Sequence, residues 1–318
     1  MSLAPFVRIL GRGPGRSRSL TRSEAEDAMR IMLSGSADRE AVGALLMLLR
    51  MKGETAEEIA GFAQAARASL GEMPRADLDW PSYAAGRTRG LPWFLLSAKL
   101  VAQAGHRVLI HGWNGPDAAV RQGLTGAGIA VAASSEDAGR LLDRDGIAYL
   151  RLEQLSPALF DLLNLRDVLG LRSCINTVSR MLNPCHARAS VQGVFHPSYR
   201  ELQADAAQLL GWKALSVIKG GGGEFERHPS KAVTAFGLRH STAWEAILPA
   251  RTSDVRRLAD GPEDPAALSE LWDGTRPDPF AEEIVLGTAE LALDTLGLQD
   301  PQARARALWS ERARPLAA

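Results

Sequence analysis

The sequence predicts an α/β protein made of a small N-terminal helical bundle domain and a larger α/β domain with a mostly parallel central sheet. Three observations predict this fold. Helical segments fill about the first 70 residues, short apolar runs alternate with helical segments beyond them, and 318 residues with 46% hydrophobic content are enough to bury a sizeable core. We place the helical domain at residues 1–74, joined by helices from about 160–187, and the α/β domain at residues 75–318 without that insert.

Four helices are predicted in the N-terminal domain. The first, at residues 3–10, is apolar and stops at a run of glycine and proline. Thr21 and Thr55 each stand three residues before a glutamate, the capping-box pattern that opens a helix. Between these two helices, apolar residues from Val42 to Met51 are so dense that the third helix must be buried on most sides. Short loops between the four helices predict a bundle.

The rest of the chain alternates strands and helices, which is the pattern of a parallel sheet covered on both faces. Residues 233–249 are ambiguous, with a candidate strand at 244–248. The predicted strands lie at residues 79–86, 107–112, 147–150, 190–195 and 214–218, and the predicted helices at residues 91–104, 118–124, 135–142, 156–163, 173–182, 199–210, 280–297 and 301–313.

The overall charge is balanced, with 37 lysines and arginines against 37 aspartates and glutamates, so a role in nucleic-acid binding must rest on local charge. Residues 1–22 carry five arginines and no acidic residue, and residues 172–231 carry eight basic against four acidic residues. Cys174 and Cys185 lack the spacing of a zinc site or a disulfide framework. Because no apolar stretch is long enough to span a membrane and the N-terminus lacks a signal-peptide core, we expect a cytoplasmic protein without membrane association.

The sharpest motif is a run of four glycines at residues 220–223, directly after the apolar strand predicted at 214–218. Open α/β sheets bind ligands at the carboxyl ends of parallel strands, and glycine lets backbone N–H groups approach an anion closely. Lys219, Arg227, His228 and Lys231 add positive charge around the run. The pattern indicates either a phosphate cradle or a mobile glycine loop with solvated charges.

Several further motifs, in order over about 200 residues, resemble those of one family. Besides the four-helix start, they are residues 108–112 (Val-Leu-Ile-His-Gly), 169–176 (Leu-Gly-Leu-Arg-Ser-Cys-Ile-Asn), 182–184 (Leu-Asn-Pro) and 193–197 (Gly-Val-Phe-His-Pro). They are similar to the V-A-K-H-G, L-G-x-R-T-x-x-N, L-x-N-P and G-V-x-x-P motifs of the anthranilate phosphoribosyltransferase-like family, a glycosyltransferase family 3 fold shared with pyrimidine nucleoside phosphorylases. The resemblance implies a helical domain beside a mixed α/β domain, and a homodimer formed through the helical domain.

The catalytic motifs of that family are altered in this sequence. Residues 85–92 stand where active members carry the G-T-G-G-D loop that holds the pyrophosphate of phosphoribosyl pyrophosphate, and they lack its glycine pair and its aspartate. The metal-binding D-G-x-D-E motif becomes the glycine run, so that Glu224 remains, with Glu226 as a candidate substitute. Because Mg²⁺ prefers carboxylate ligands, these changes argue against the usual transferase reaction.

Residues 219–229 match the K-G-G-G-G-E-x-E-R-x-P loop of a divergent branch of the family, in which this loop accompanies nucleic-acid binding. The leading hypothesis is therefore a DNA-binding or RNA-binding homodimer that holds single strands by their phosphates, with low sequence specificity and no cofactor. The alternative is an Mg-dependent phosphoribosyl or pentosyl transferase with an altered donor site, in which Glu224 and Glu226 bind Mg²⁺. A scaffold that binds another protein through its helical bundle is a third hypothesis.

The candidate site residues follow from these hypotheses. Arg172 suits a substrate carboxylate or an interdomain hinge, Asn176 suits a helix cap or a ligand, and His111 suits a ligand or a structural position at a strand end. Trp113 or Phe225 is the candidate stacking surface for a base, and the N-terminal arginines suit either phosphate contact or simple solvation. No catalytic residue is assigned; the possible pocket residues are His111, Trp113, Arg172 and Asn176, and the expected phosphate contacts are Arg12, Arg16, Arg18, Arg87, Arg89, Arg180, Lys219, Gly220, Gly221, Gly222, Gly223, Arg227 and Lys231.

Overall fold

The computed structural model describes residues 2–13, 15–84, 90–113 and 119–312. It confirms the predicted fold class, a helical bundle beside an α/β domain. The bundle begins with four helices, which are α1 (Ala4–Gly11), α2 (Arg22–Leu33), α3 (Arg39–Lys52) and α4 (Ala56–Ala68).

Local sequence explains where the bundle helices begin and how closely they pack. Thr21 and Thr55 each accept a hydrogen bond from the backbone N–H of the glutamate three residues on, and each glutamate accepts one in return, so both predicted capping boxes are confirmed. At Gly61 an added Cβ would lie 2.3 Å from the carbonyl oxygen of Arg22. Only glycine therefore allows α2 and α4 to approach this closely.

The α/β domain is built on a central sheet that has eight strands within the described residues. These strands are β1 (Leu78–Ser82), β2 (Val108–Gly112), β3 (Val131–Ala132), β4 (Ile147–Arg151), β5 (Ala189–Val194), β6 (Ala214–Lys219), β7 (Val233–Arg239) and β8 (Thr242–Leu248). Their order across the sheet is β3-β4-β2-β1-β5-β6-β7-β8. All neighbouring pairs from β3 to β6 are parallel, and β7 and β8 add an antiparallel hairpin at one edge, so the sheet is mostly parallel as predicted.

Helices cover both faces of this sheet. They are α5 (Phe94–Gln103), α6 (Ala119–Ala127), α7 (Ser135–Asp145), α8 (Leu152–Leu155), α9 (Pro157–Leu169), α10 (Ile175–Arg180), α11 (Tyr199–Leu209), α12 (Ala266–Asp273), α13 (Pro279–Thr295) and α14 (Pro301–Glu311). One large core joins α5, α12, α13 and α14 to one face of the sheet. A second runs without a break from the bundle helices, α9 and α10 to α11 and the opposite face, so bundle and sheet are held together by shared packing.

The β7–β8 hairpin resolves the ambiguous residues 233–249. Its turn residues, His240 and Ser241, have φ values of 52° and 63°, as a tight hairpin turn requires. β8 forms the edge of the sheet and is largely exposed, with Ile247 at 73%, so it lacks the apolar run that marks the buried strands. The candidate strand at 244–248 is confirmed as part of β8. The short elements α8, α12 and β3 were not predicted.

The order of the strands locates a switch point in the sheet. β1 pairs with β2 on one side and with β5 on the other, so the chain proceeds in opposite directions from β1. The carboxyl ends of β1 and β5 therefore border the crevice where open α/β sheets bind ligands. None of the described helices is both long and apolar enough to cross a membrane.

Candidate functional site: a cation-lined interdomain cleft

A cleft of about 300 Å³ opens between the helical bundle and the carboxyl edge of the sheet. Its sheet side consists of Ala84 after β1, Val194 and Phe195 at the end of β5, and Gly222 after β6. Its helical side comes from the end of α3, the loop between α9 and α10, α10 itself and the first turns of α11. We call it the interdomain cleft, and it lies at the switch point between β1 and β5.

Three arginines line the interdomain cleft and make it cationic. Arg50 comes from the end of α3, Arg172 from the loop before α10 and Arg180 from the end of α10, and Nη1 of Arg50 donates to the Arg172 carbonyl at 2.7 Å. The lining residues described by the structure include no aspartate or glutamate. At the rim, the hydroxyl of Tyr199 donates to Glu54 at 3.3 Å. The balance of charge in the cleft therefore favours an anionic ligand.

Arg180 forms the floor of the cleft and is itself buried. Its Nε donates to the carbonyl of Gly193 at 3.0 Å, its Nη2 to the carbonyl of Tyr83 at 2.9 Å, and its Nη1 to the side chain of Asn176. Burial lowers the pKa of Arg180 to about 10, and the nearby charge of Glu224 opposes that change. Arg180 and Asn176 thus brace α10 against the sheet, which differs from the direct phosphate contact expected of Arg180.

The glycine run is a closed turn, not the open amide cradle expected from the sequence. The N–H groups of Gly220, Gly221 and Gly223 all donate to backbone carbonyl groups. Gly222 and Gly223 have φ values of 64° and 101°, and a Cβ on Gly220 would lie 1.6 Å from the Glu224 carbonyl oxygen. Glycine is required here by conformation and close contact, and Gly222 is the member of the run that lines the cleft.

Glu224 and Glu226 lie beneath the glycine run and join it to the segment after β1. Glu224 Oε1 accepts from the N–H of Ala84 at 2.8 Å, and Glu226 Oε2 accepts from the N–H of Phe94, the first residue of α5, at 2.9 Å. A carboxyl oxygen at this position pairs an N–H that has no partner within the helix. The two glutamates therefore hold both flanks of the loop that connects β1 to α5.

These carboxylates do not form a magnesium site where they stand. Mg²⁺ needs near-octahedral oxygen coordination and usually keeps several waters, whereas Glu224 and Glu226 are buried and each gives an oxygen to a backbone N–H. The described part of the chain contains no group of three or more histidine, cysteine, aspartate or glutamate side chains that could hold a metal ion. The metal role that the alternative hypothesis assigns to these two residues is therefore not supported by their position.

Two of the expected pocket residues lie outside the cleft. His111 is buried, with Nε2 at 3.1 Å from an Asp79 oxygen and Nδ1 at 2.9 Å from the Tyr83 hydroxyl oxygen, which is a structural position. Trp113 is 7% exposed and packs edge-on against an aromatic ring of α9. Phe225 is completely buried against a tryptophan of β1. Neither aromatic residue offers the stacking surface that the sequence suggested.

The expected phosphate contacts outside the cleft differ in how exposed their side chains are. Arg12, Arg16, Lys219 and Lys231 are exposed. Arg18 forms an ion pair with a glutamate of α2 at 2.6 Å, which occupies part of its guanidinium. Residues 87 and 89, the two arginines expected after β1, lie outside the described residues.

Arg227 differs most from its expected role. Its side chain is 2% exposed, its Nη2 donates to the carbonyl of Pro249 at 2.7 Å, and its Nη1 lies 3.6 Å from Glu290 of α13. Its backbone N–H also donates to Thr288 of α13 at 2.9 Å. Arg227 therefore fastens the end of the glycine loop to α13 and does not face solvent phosphate.

The lining residues that sequence reasoning did not assign to the site include Arg50, Phe195, His196 and Gln203. Phe195 and His196 follow β5 and pack edge-to-face, with ring centroids 4.9 Å apart and an interplanar angle of 85°. Their place directly after a strand at the switch point was the signal that could have identified them. Arg50 and Gln203 lie on helices, where nothing in the sequence distinguishes a cleft-facing side chain from a neighbouring surface one.

The fold and the position of the cleft place this chain among α/β proteins that combine a helical bundle with a ligand-binding edge of the sheet. Comparisons with known proteins identify the family. A model described as the helical bundle domain of a glycosyl transferase family matches residues 5–70, and the a/b domain of that family matches residues 95–294. The chain belongs to this glycosyl transferase family.

Relatives and solved structures agree with this assignment. The anthranilate phosphoribosyltransferase of Myxococcus xanthus is 31% identical over 303 residues, 91% of this chain and 88% of that protein, and the one of Desulforudis audaxviator is 32% identical over 305 residues, 92% and 87% of the two chains. The structure of anthranilate phosphoribosyltransferase from Thermus thermophilus superposes with a TM-score of 0.80 at 24% identity, covering 98% of this chain and 95% of that one. The Saccharomyces cerevisiae enzyme in complex with PRPP and Mg gives a TM-score of 0.78 at 16% identity, with coverage of 97% and 92%, which shows the shared fold.

Replacing Glu226 by glutamine should change how stability depends on pH. Burial raises the pKa of Glu226 from 4.5 to about 8, although the N–H groups of Phe94 and Trp93 act in the opposite direction. Between these two values the folded protein binds this proton more strongly than the unfolded chain, so the stabilisation present below pH 4.5 is lost as pH rises toward 8. We expect the thermal midpoint of the wild type to fall across this window by on the order of a few degrees more than that of Glu226→Gln.

The matched control is Glu136→Gln, because Glu136 lies on α7 with a side chain that is 85% exposed. Its thermal midpoint should follow pH as the wild type does. Parallel curves for the wild type and Glu226→Gln would show that Glu226 does not retain the extra proton.

Proposed function

We propose that the interdomain cleft binds single-stranded DNA or RNA through its phosphates, without a magnesium ion. The observation that carries this proposal is the lining of the cleft, in which Arg50 and Arg172 offer guanidinium groups, the buried Arg180 adds positive charge at the floor, and no described residue is acidic. Arginine donors form strong charge-assisted hydrogen bonds with phosphate oxygens. A phosphate in this environment is neutralised by protein cations, so its binding needs no metal.

The basic N-terminal loop supports the same proposal. Nζ of Lys52, at the end of α3, donates to the Ser19 hydroxyl at 3.1 Å, so this loop lies beside the helix that contributes Arg50 to the cleft. Arg12 and Arg16 of the loop are exposed. A strand that leaves the cleft along α3 would meet these further cations, and the balanced net charge of the whole chain does not oppose such local binding.

Nucleic-acid binding should be steeply dependent on salt and should weaken when cleft arginines are removed. We expect the logarithm of the affinity for a labelled 30-nucleotide single strand to fall by roughly 0.7 per neutralised phosphate for each tenfold rise in salt. Arg50→Ala combined with Arg172→Ala should lower the affinity for every sequence and reduce this slope by about 1.4, because two phosphate contacts are lost. Fluorescence anisotropy at several salt concentrations measures both quantities.

Arg140→Ala serves as the matched control. Arg140 lies on α7, packed beside β3 and β4 at the far edge of the sheet, and it pairs with Glu136 and Asp137 of the same helix. Its loss should leave both affinity and salt slope unchanged. An affinity that does not respond to salt, or that falls equally in the control and the cleft variant, would contradict phosphate binding in the cleft.

A second candidate function is phosphoribosyl or pentosyl transfer, and the relatives favour it over nucleic-acid binding. Proteins 31% and 32% identical over most of this chain are anthranilate phosphoribosyltransferases. Arg172 and Asn176, which resemble residues of the family motif, do line the cleft. Against this candidate stand the buried positions of Glu224 and Glu226 and the lack, among the described residues, of any group of three or more side chains that could hold a metal ion.

Calorimetry with phosphoribosyl pyrophosphate separates the two candidates. Because the described carboxylates do not form a magnesium site, we expect no binding heat that depends on Mg²⁺ when phosphoribosyl pyrophosphate is titrated into the protein. Phosphoribosyl pyrophosphate should also displace a bound single strand no more effectively with Mg²⁺ than without it. Magnesium-dependent binding in the millimolar range or tighter would instead support the transferase.

We also propose that the chain forms a homodimer through its helical part, which would join two clefts into one longer binding surface. Met51 of α3 and Val168 of α9 are each 81% exposed, and Leu171, three residues after Val168, is 45% exposed. Large exposed apolar side chains on one structural unit are typical of an interaction surface.

Light scattering should give the wild type twice the mass of one chain. The double change Met51→Lys and Val168→Lys should shift it toward a single chain, because two charges would have to be desolvated in the interface. Ile247→Lys is the control, since Ile247 is similarly exposed but lies on β8 at the sheet edge. A wild type that stays monomeric at high concentration would contradict the dimer.

A further inference from the structure

Gln203 is a buried side chain in the interdomain cleft with an unmet hydrogen-bonding capacity. It lies on α11 one turn after Tyr199, and both residues line the cleft. Its residue is 1% exposed, and its Oε1 has no hydrogen-bond partner among the described residues. A buried amide oxygen left unpaired costs free energy of roughly 1–3 kcal/mol, so its retention calls for an explanation.

The surroundings of Gln203 indicate which ligand would supply the missing donor. The cleft presents the cations Arg50 and Arg172 together with the edge-to-face aromatic pair Phe195 and His196. Cations suit a phosphate, and an aromatic ring suits a stacked base. A volume of about 300 Å³ is at the small end of ligand sites, enough for one nucleotide unit and far too small for a duplex.

An amide oxygen accepts hydrogen bonds and does not donate them, so the ligand must present a donor, either an N–H or an O–H group. The exocyclic amines of adenine and cytosine are donors of this kind on the base edge. Bases in single strands can be splayed out and bound by their edges while stacked on aromatic side chains.

We infer that one splayed nucleotide enters each interdomain cleft and that Gln203 Oε1 accepts a hydrogen bond from the amine of its base. This inference rests on the proposed nucleic-acid binding and deepens it, since it names the part of the strand that the cleft recognises. Gln203 is then a specificity-determining residue. The protein would bind many sequences, with a preference for bases that carry an amine.

The test compares strands that differ by the amine alone. One pair is oligodeoxyadenylate and the same strand built from purine deoxyriboside; the other is oligodeoxycytidylate and the same strand built from the pyrimidin-2-one deoxyriboside. We expect the wild type to bind the amine-bearing member of at least one pair about fivefold to tenfold more tightly. In Gln203→Met, which has a similar shape but no acceptor, the two members should bind equally.

A second measurement separates recognition from a structural role. Because Gln203→Met removes an unpaired buried oxygen, its thermal midpoint should equal or exceed that of the wild type. A purely structural glutamine would instead lower the midpoint on substitution and would leave the wild type unable to distinguish the paired strands.

The remaining outcomes distinguish failure of this inference from failure of the proposed function. If the wild type binds all four strands with equal affinity, the inference is wrong while the binding function stands. If no strand binds, both are wrong. If 2-aminobenzoate binds in a manner that requires Gln203 and no strand does, the cleft belongs to the transferase candidate and the inference is again wrong.

Discussion

The site depends on two hydrogen bonds accepted by buried glutamate side chains, one from the N–H of Ala84 to Glu224 and one from the N–H of Phe94 to Glu226. They fix both flanks of the loop after β1 to the segment after β6. The glycine run makes them possible, because a side chain on Gly220 would overlap the Glu224 carbonyl and the turn could not close. The four glycines and the two glutamates thus form one structural unit. The glycines allow the turn to close, and the closed turn places the glutamates against the loop after β1.

A consequence of this unit is the separation of charge around the cleft. The acidic side chains of the loop turn inward, and Glu290 of α13 pairs with the buried Arg227 and Arg251. The side chains left to line the cleft are therefore cationic or neutral. A chain with equal numbers of acidic and basic residues can in this way present a cleft lined by arginines and by no acidic side chain among the described residues.

Most of the fold follows from the sequence because its signals are local. Buried apolar runs place β2 and β6 within a residue or two, and capping boxes fix the starts of α2 and α4. The site is less predictable because it is assembled from distant segments. The sequence shows that Arg227 is basic and Trp113 aromatic, but it does not show where their side chains point. That direction depends on the helix that packs against each residue, and here the packing buries both. Gln203 gives no sequence signal, since a glutamine on an amphipathic helix is ordinarily solvated.

Group transfer and anion binding require different side chains in the same cleft. Magnesium-dependent transfer of a phosphoribosyl group requires oxygen ligands at about 2 Å from the metal, whereas Glu224 and Glu226 are buried and each accepts a hydrogen bond from a backbone N–H. Binding of a phosphate chain requires only cations and donors along an accessible surface, which tolerates small changes in position. In this chain the cleft is lined by arginines, and the two nearby glutamates hold the loops that border it. The shared fold supplies the cleft, and these few side chains decide which ligand it can hold.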